Sequence, residues 1–137
     1  MTRSYRFKID KLIRDRIPKI MEQQGQSASV RTLEHGEYVE RLQDKLLEEA
    51  REAVQAQTSD ELREELADLL EVVRSLAAVS GITLDAIERA RIAKREKKGG
   101  FDKRVYAAHA DIGEDAPILA YYRANPSAYP EVDYDEK

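Results

Sequence analysis

Apolar residues recur at helical spacing through the middle of this chain. Across about residues 36–57, Tyr38, Leu42, Leu46 and Ala53 fall within a sector of roughly 80° on a helical wheel. Across about residues 59–80, Leu62, Leu66, Leu69, Val72, Val73 and Leu76 gather within a sector of roughly 120°. A third helical stretch follows, over about residues 84–98. Punctuation agrees with these limits. Gln57-Thr58-Ser59-Asp60 reads as a turn, with Thr58 and Glu61 in capping-box spacing. Gly81 suits the position just past a helix end, Thr83 suits an N-cap, and Gly99-Gly100 stops the third helix. Pro18 fits the first turn of a short helix ending near Gly25. Residues 28–33 read as a short extended segment, 116–124 as a short helix, and the last dozen residues as irregular. The expected fold is all-α: an antiparallel helical bundle in a single domain over 1–137. Its core covers about 5–106, and an irregular C-terminal tail covers 107–137.

The polar positions break this pattern at four places. Glu49 and Glu52, and Glu65 and Asp68, are pairs three residues apart, so each pair shares a helix face. With Tyr38 at zero, Glu49 lands at roughly 20°, inside the apolar stripe, and Glu52 at roughly 320°, on its margin. On the second helix Glu65 lies among the leucines and Asp68 on their edge. Glu48, Glu61, Glu64 and Glu71 point outward and read as a solvated face. In an antiparallel hairpin the inner pairs mirror about the turn, Glu49 facing Asp68 and Glu52 facing Glu65. Carboxylates on a core-facing stripe are costly unless paired or bound to a cation. Lys45 or the later basic run could neutralise them; a divalent metal is the other solution. The donor set is all carboxylate, with no His or Cys nearby, which selects Mg²⁺, with Mn²⁺ as a substitute, over zinc or copper. Magnesium held this way commonly shares its sphere with water and substrate phosphates, so the chemistry indicated is metal-assisted attack of water on a phosphoryl group.

A phosphate substrate calls for cations. Arg91, Lys94, Arg95, Lys97, Lys98, Lys103 and Arg104 form a basic run opposed only by Glu96 and Asp102. Lys94, Lys97 and Arg104 are the phosphate-binding candidates there, and Lys45, one turn before Glu49, is another. Cations at a helix C-terminus also satisfy the macrodipole, which is the plain alternative. His35 and His109 have no evident partner. Composition narrows the field further. The 137 residues are 42% hydrophobic and 36% charged, which suits amphipathic helices. A net charge of −4 argues against a nucleic-acid polymer as partner. The absence of cysteine excludes disulfides and thiolate catalysis. No apolar run approaches a membrane span, and the first residues lack the apolar core of a secretory signal, so a soluble cytoplasmic protein is expected.

These motifs together resemble a known superfamily. Leu47-Glu48-Glu49-x-x-Glu52 followed by Glu65-Leu66-Ala67-Asp68 is similar to the ExxE…ExxD signature of the all-α nucleoside triphosphate pyrophosphohydrolases. That superfamily includes MazG-like proteins and phosphoribosyl-ATP pyrophosphohydrolase. Lys11-Leu12-Ile13-Arg14-Asp15-Arg16-Ile17-Pro18 and Lys97-Lys98-Gly99-Gly100-Phe101 resemble stretches of one small branch of it, rather than of the histidine-pathway enzyme. The resemblance covers about residues 5–106. It implies Mg²⁺-dependent cleavage between the α and β phosphates of a canonical or non-canonical nucleotide, giving a nucleoside monophosphate and pyrophosphate in a house-cleaning role. Glu49, Glu52, Glu65 and Asp68 would hold the metal, and Glu49 or Glu52 would orient or deprotonate the attacking water. A homodimer or homotetramer is the implied assembly, with the site near an interface. Tyr5, Phe7 and Tyr106 are base-stacking candidates or core residues. The competing expectation is a non-catalytic helical interaction module of a bacterial or phage regulatory system.

Overall fold

The computed structural model describes residues 2–133. It contains α1 (Ile17–Gln23), α2 (His35–Gln55), α3 (Ser59–Val79), α4 (Leu84–Lys98) and α5 (Leu119–Ala124), and no strand among the described residues. Residues 28–33 are an irregular connection. The last dozen residues are irregular as far as residue 133, and residues 134–137 lie outside the described residues. Chain contacts gather into two compact units, one ending at Lys98 and one beginning at Gly99, whereas the sequence reading starts the tail at residue 107. No helix among the described residues is long and apolar enough to cross a membrane.

The first unit is organised by a hairpin of two 21-residue helices, α2 and α3. Only Ala56, Gln57 and Thr58 separate them, so they can meet side by side only if they run antiparallel. They form the one extended helix–helix interface among the described residues. Thr58 caps α3: its Oγ1 accepts from the Glu61 N–H at 3.1 Å. The reciprocal bond is shifted one residue upstream, with Glu61 Oε2 accepting from the Gln57 N–H at 2.8 Å. Two donors at the turn are thereby satisfied, which fixes where α3 starts and hence the register of the hairpin. At its other end the Ile82 N–H donates to the Ala77 carbonyl at 2.8 Å and the Gly81 N–H to the Ala78 carbonyl at 3.2 Å. Gly81 adopts a φ of +71°, which this closing motif requires and a side chain would resist. Thr83 then caps α4 by accepting from the Ala86 N–H at 3.1 Å.

The core of the hairpin is small. Leu42, Val72 and Ala77 are buried, while Leu46, Ala53, Leu69, Val73 and Leu76 are half-buried. Leu62 and Leu66, expected inside, are 40% and 49% exposed. The apolar sector of α3 is wider than one partner helix can cover. Leu62, Leu66 and Leu70 stay in solvent, while Val72 and Ala77 are buried.

A strap from the N-terminus crosses the hairpin. Arg41 Nη2 donates to Asp10 Oδ1 at 3.2 Å, Lys11 Nζ to Glu48 Oε1 at 2.8 Å, and Arg14 Nη2 to Asp68 Oδ1 at 2.7 Å. The first two contacts reach α2 and the third reaches α3, so the five residues 10–14 bridge both helices. Asp10 turns the strap with a φ of +49°, a conformation that Asp tolerates better than most residues. Leu12 and Ile13 are half-buried between these polar ties. The second unit holds α5 and an aromatic cluster, in which the Tyr122 and Tyr129 rings lie 4.7 Å apart and both neighbour Tyr121.

Candidate metal centre

The hairpin brings Glu49 of α2 together with Glu65 and Asp68 of α3. One carboxylate oxygen from each lies within 4.8 Å of the others. The register set by the Thr58 cap is the reason, since residues equidistant from a hairpin turn share a height. Glu52 is exposed and is not part of that set, but its carboxyl hydrogen-bonds with those of Glu65 and Glu49.

Glu49 is the one buried charged residue among the described residues, at 7% exposure. Its Oε2 has no hydrogen-bond partner, and neither does Oε2 of Glu65. Buried carboxylate oxygens are normally satisfied, because stripping their water without replacement is costly. Two orphaned oxygens from facing helices, inside a set of carboxylates close enough to share one ligand, fit an oxygen-liganded divalent cation. The pKa shifts have the same origin. A hydrogen bond to Glu52, then burial and the charges of Glu52, Asp68 and Glu49, push Glu65 from an ordinary 4.5 to about 7. Burial, followed by the Glu52 charge, also raises Glu49, against a smaller opposing pull from Lys45.

Basic residues rim the centre incompletely. Lys45 Nζ lies 3.3 Å from Glu48 Oε2 and 3.6 Å from Glu49 Oε1, so the candidate phosphate ligand of α2 is engaged with carboxylates. Glu48, assigned to the solvated face from its helical phase, is instead half-buried and bound by both Lys11 and Lys45. The strap covers that flank of α2, which a wheel drawn for α2 alone does not show. Lys11 holds Glu48 below the usual carboxylate range, by its hydrogen bond first and with help from Lys45. With every group ionised, Glu48, Glu49, Glu52, Glu65 and Asp68 carry five negative charges against three positive ones on Lys11, Arg14 and Lys45. The local excess is two negative charges, the charge of one divalent cation.

The remaining phosphate candidates lie on α4 and beyond it. Lys94 and Lys97 are exposed on α4 and have no ion pair among the described residues. Arg104 belongs to the second unit, where it adopts a φ of +57° and its N–H donates to the Phe101 carbonyl at 3.1 Å. Arg14 and Lys11 were not among the sequence-derived site residues. Their motif was visible, but its distance from the carboxylates in sequence hid the contact. An open cavity of about 480 Å³ is lined by Arg14 together with Leu12, Ile13, Pro18, Leu33 and Tyr38 among others. Tyr5, Phe7 and Tyr106 are 71%, 80% and 89% exposed, so none is a core residue of this chain.

The raised carboxyls imply a pH dependence with a definite sign. Between 4.5 and about 7 the folded protein holds a proton on Glu65 that the unfolded chain has released. The associated stability is complete below the lower value and is lost as pH rises through the upper one. Glu37, Glu48 and Glu88, all lowered by basic partners, act below this window. Thermal melts in EDTA should therefore show a falling midpoint across this range. The slope should flatten in Glu65→Gln and on adding Mg²⁺. A midpoint that climbs with pH would contradict this electrostatic picture.

Comparison with known proteins agrees with the site. No curated protein and no solved structure shows a significant match to the chain. Residues 9–95 match the family model described as phosphoribosyl-ATP pyrophosphohydrolase. The matched span includes α2, α3 and the whole carboxylate set, and it also includes the Lys11–Pro18 motif, which therefore does not separate the chain from that family. The family consists of all-α hydrolases acting on phosphoric anhydrides. The chain belongs to the phosphoribosyl-ATP pyrophosphohydrolase family, within the MazG-like all-α nucleoside triphosphate pyrophosphohydrolase superfamily.

Proposed function

We propose that this protein is a Mg²⁺-dependent nucleoside triphosphate pyrophosphohydrolase. It cleaves the α–β phosphate bond of a canonical or damaged nucleotide and releases a nucleoside monophosphate and pyrophosphate, in a house-cleaning role. The observation that carries this reading is the convergence of Glu49, Glu65 and Asp68 around two orphaned buried oxygens. Glu49, Glu65 and Asp68 hold the cation, and Glu52 stands beside them. A bound Mg²⁺ supplies Lewis-acid stabilisation of the charge that develops on the phosphate oxygens. Glu52 is exposed yet hydrogen-bonded to Glu65, so it can meet solvent and accept a proton from the attacking water. Lys45, between Glu48 and Glu49, limits the repulsion within the cluster, and it is a phosphate ligand in this reading. Lys94 and Lys97 are further phosphate ligands in this reading. The cavity beside Arg14 is within the size range of small-molecule sites and would take the nucleoside.

The leucines left in solvent on α3 indicate the assembly. Leu62, Leu66 and Leu70 follow one another at four-residue steps and are 40–61% exposed. A second copy of the chain covering this stripe would give the homodimer, or a homotetramer built from it. Light scattering should report at least twice the 15.7 kDa chain mass, and Leu66→Asp should lower it; a monomeric wild-type protein would end this part of the proposal.

The activity has a direct test. A panel of canonical and modified nucleoside triphosphates, with and without EDTA, should yield pyrophosphate only when Mg²⁺ is present. Orthophosphate as the product would mean γ cleavage and would contradict the mechanism. Glu49→Gln and Asp68→Asn should each lower kcat by about 100-fold or more while far-UV circular dichroism stays unchanged. Full turnover in either variant would remove that residue from the centre.

A further inference from the structure

The Lys11–Pro18 motif has no part in the proposed chemistry, yet it delivers a guanidinium to the edge of the centre. Arg14 Nη2 lies 2.7 Å from Asp68 Oδ1, and Asp68 is one of the three converging carboxylates. The contact uses one N–H group of a side chain that carries five. The Arg14 side chain is 58% exposed, so its remaining donors meet solvent rather than protein. It also lines the 480 Å³ cavity, which gives a ligand room beside the guanidinium. The strap is anchored immediately before this position. Lys11 is tied to Glu48 and Arg41 holds Asp10, while Leu12 and Ile13 are half-buried. Arg14 is thus presented from a fixed piece of chain.

We propose that Arg14 is a further substrate-phosphate ligand of the carboxylate centre. This rests on the metal-centre reading above and adds a residue that reads the polyphosphate. Asp68 has two oxygens, so it can keep its bond to Arg14 and still contribute to holding a cation. The guanidinium then presents a planar fork of spare N–H donors beside the cation. That geometry suits two oxygens of one phosphate, which a lysine ammonium matches less well. A purely structural role is the contrasting possibility, in which Arg14 would serve only to fix the strap or to orient Asp68. An ion pair this exposed contributes little to folding, so Arg14 can be replaced without unfolding the hairpin.

Two binding measurements on the full chain separate these roles. Mn²⁺ alone is titrated by electron paramagnetic resonance, and magnesium pyrophosphate by calorimetry, for wild type, Arg14→Ala and Arg14→Lys. Arg14→Ala should keep its Mn²⁺ affinity or gain slightly, because a competing positive charge is gone. Its affinity for magnesium pyrophosphate should fall by roughly 10- to 100-fold, the value of charge-assisted hydrogen bonds. Arg14→Lys should lie between the two. Unchanged pyrophosphate binding in Arg14→Ala would overturn the assignment, as would a wild-type protein that takes Mn²⁺ but not magnesium pyrophosphate. A parallel loss of Mn²⁺ affinity would also overturn it, by showing that Arg14 only orients Asp68. A wild-type protein that takes no Mn²⁺ would instead bring down the metal centre itself, and this assignment with it.

Discussion

The constraint on which the rest depends is the burial of the Glu49 carboxylate against α3. A charged group at 7% exposure with one oxygen unpartnered is a standing cost to the folded chain. The hairpin does not relieve it by packing, because what α3 presents at that height is Glu65 and Asp68, two more acids. Protonation relieves it in part, which is why Glu65 and Glu49 titrate high. A divalent cation held there would relieve it further, and the two uncompensated charges match its valence. Stability is thus given up where, on the proposed function, a cation would be held near a phosphate.

Everything around the centre sets the geometry of that arrangement. The Thr58 cap and the Gly81 closure fix the ends of α3, and the three-residue connection fixes its register against α2. The strap then ties both helices together through Asp10, Lys11 and Arg14. Its ties are exposed ion pairs, weak singly, and two of the three end on the acidic cluster. Strap and centre are therefore electrostatically linked. The cations that locate the N-terminal segment also temper the repulsion among the carboxylates.

Much of this was legible in the sequence because it is local. Helix ends follow from Thr58, Gly81 and Thr83, and the phases of Glu49 and Glu65 follow from periodicity within one helix. The convergence of the acidic pairs follows once the turn is located. What escaped is what depends on a second segment. Glu48 looks outward on the wheel of α2 but is covered by Lys11 from thirty-seven residues upstream. Leu62 and Leu66 look buried from the phase of α3, yet one partner helix does not reach them. Arg14 belongs to a recognisable motif, but nothing in its own neighbourhood announces Asp68 as its partner.

The central claim is that the Glu49–Glu65–Asp68 set is a divalent-metal centre. The most direct test is anomalous diffraction from crystals grown with Mn²⁺. The account predicts a strong anomalous peak between the carboxylates of Glu49, Glu65 and Asp68. A well-ordered centre with no peak there, or Mn²⁺ bound only elsewhere on the chain, would contradict it.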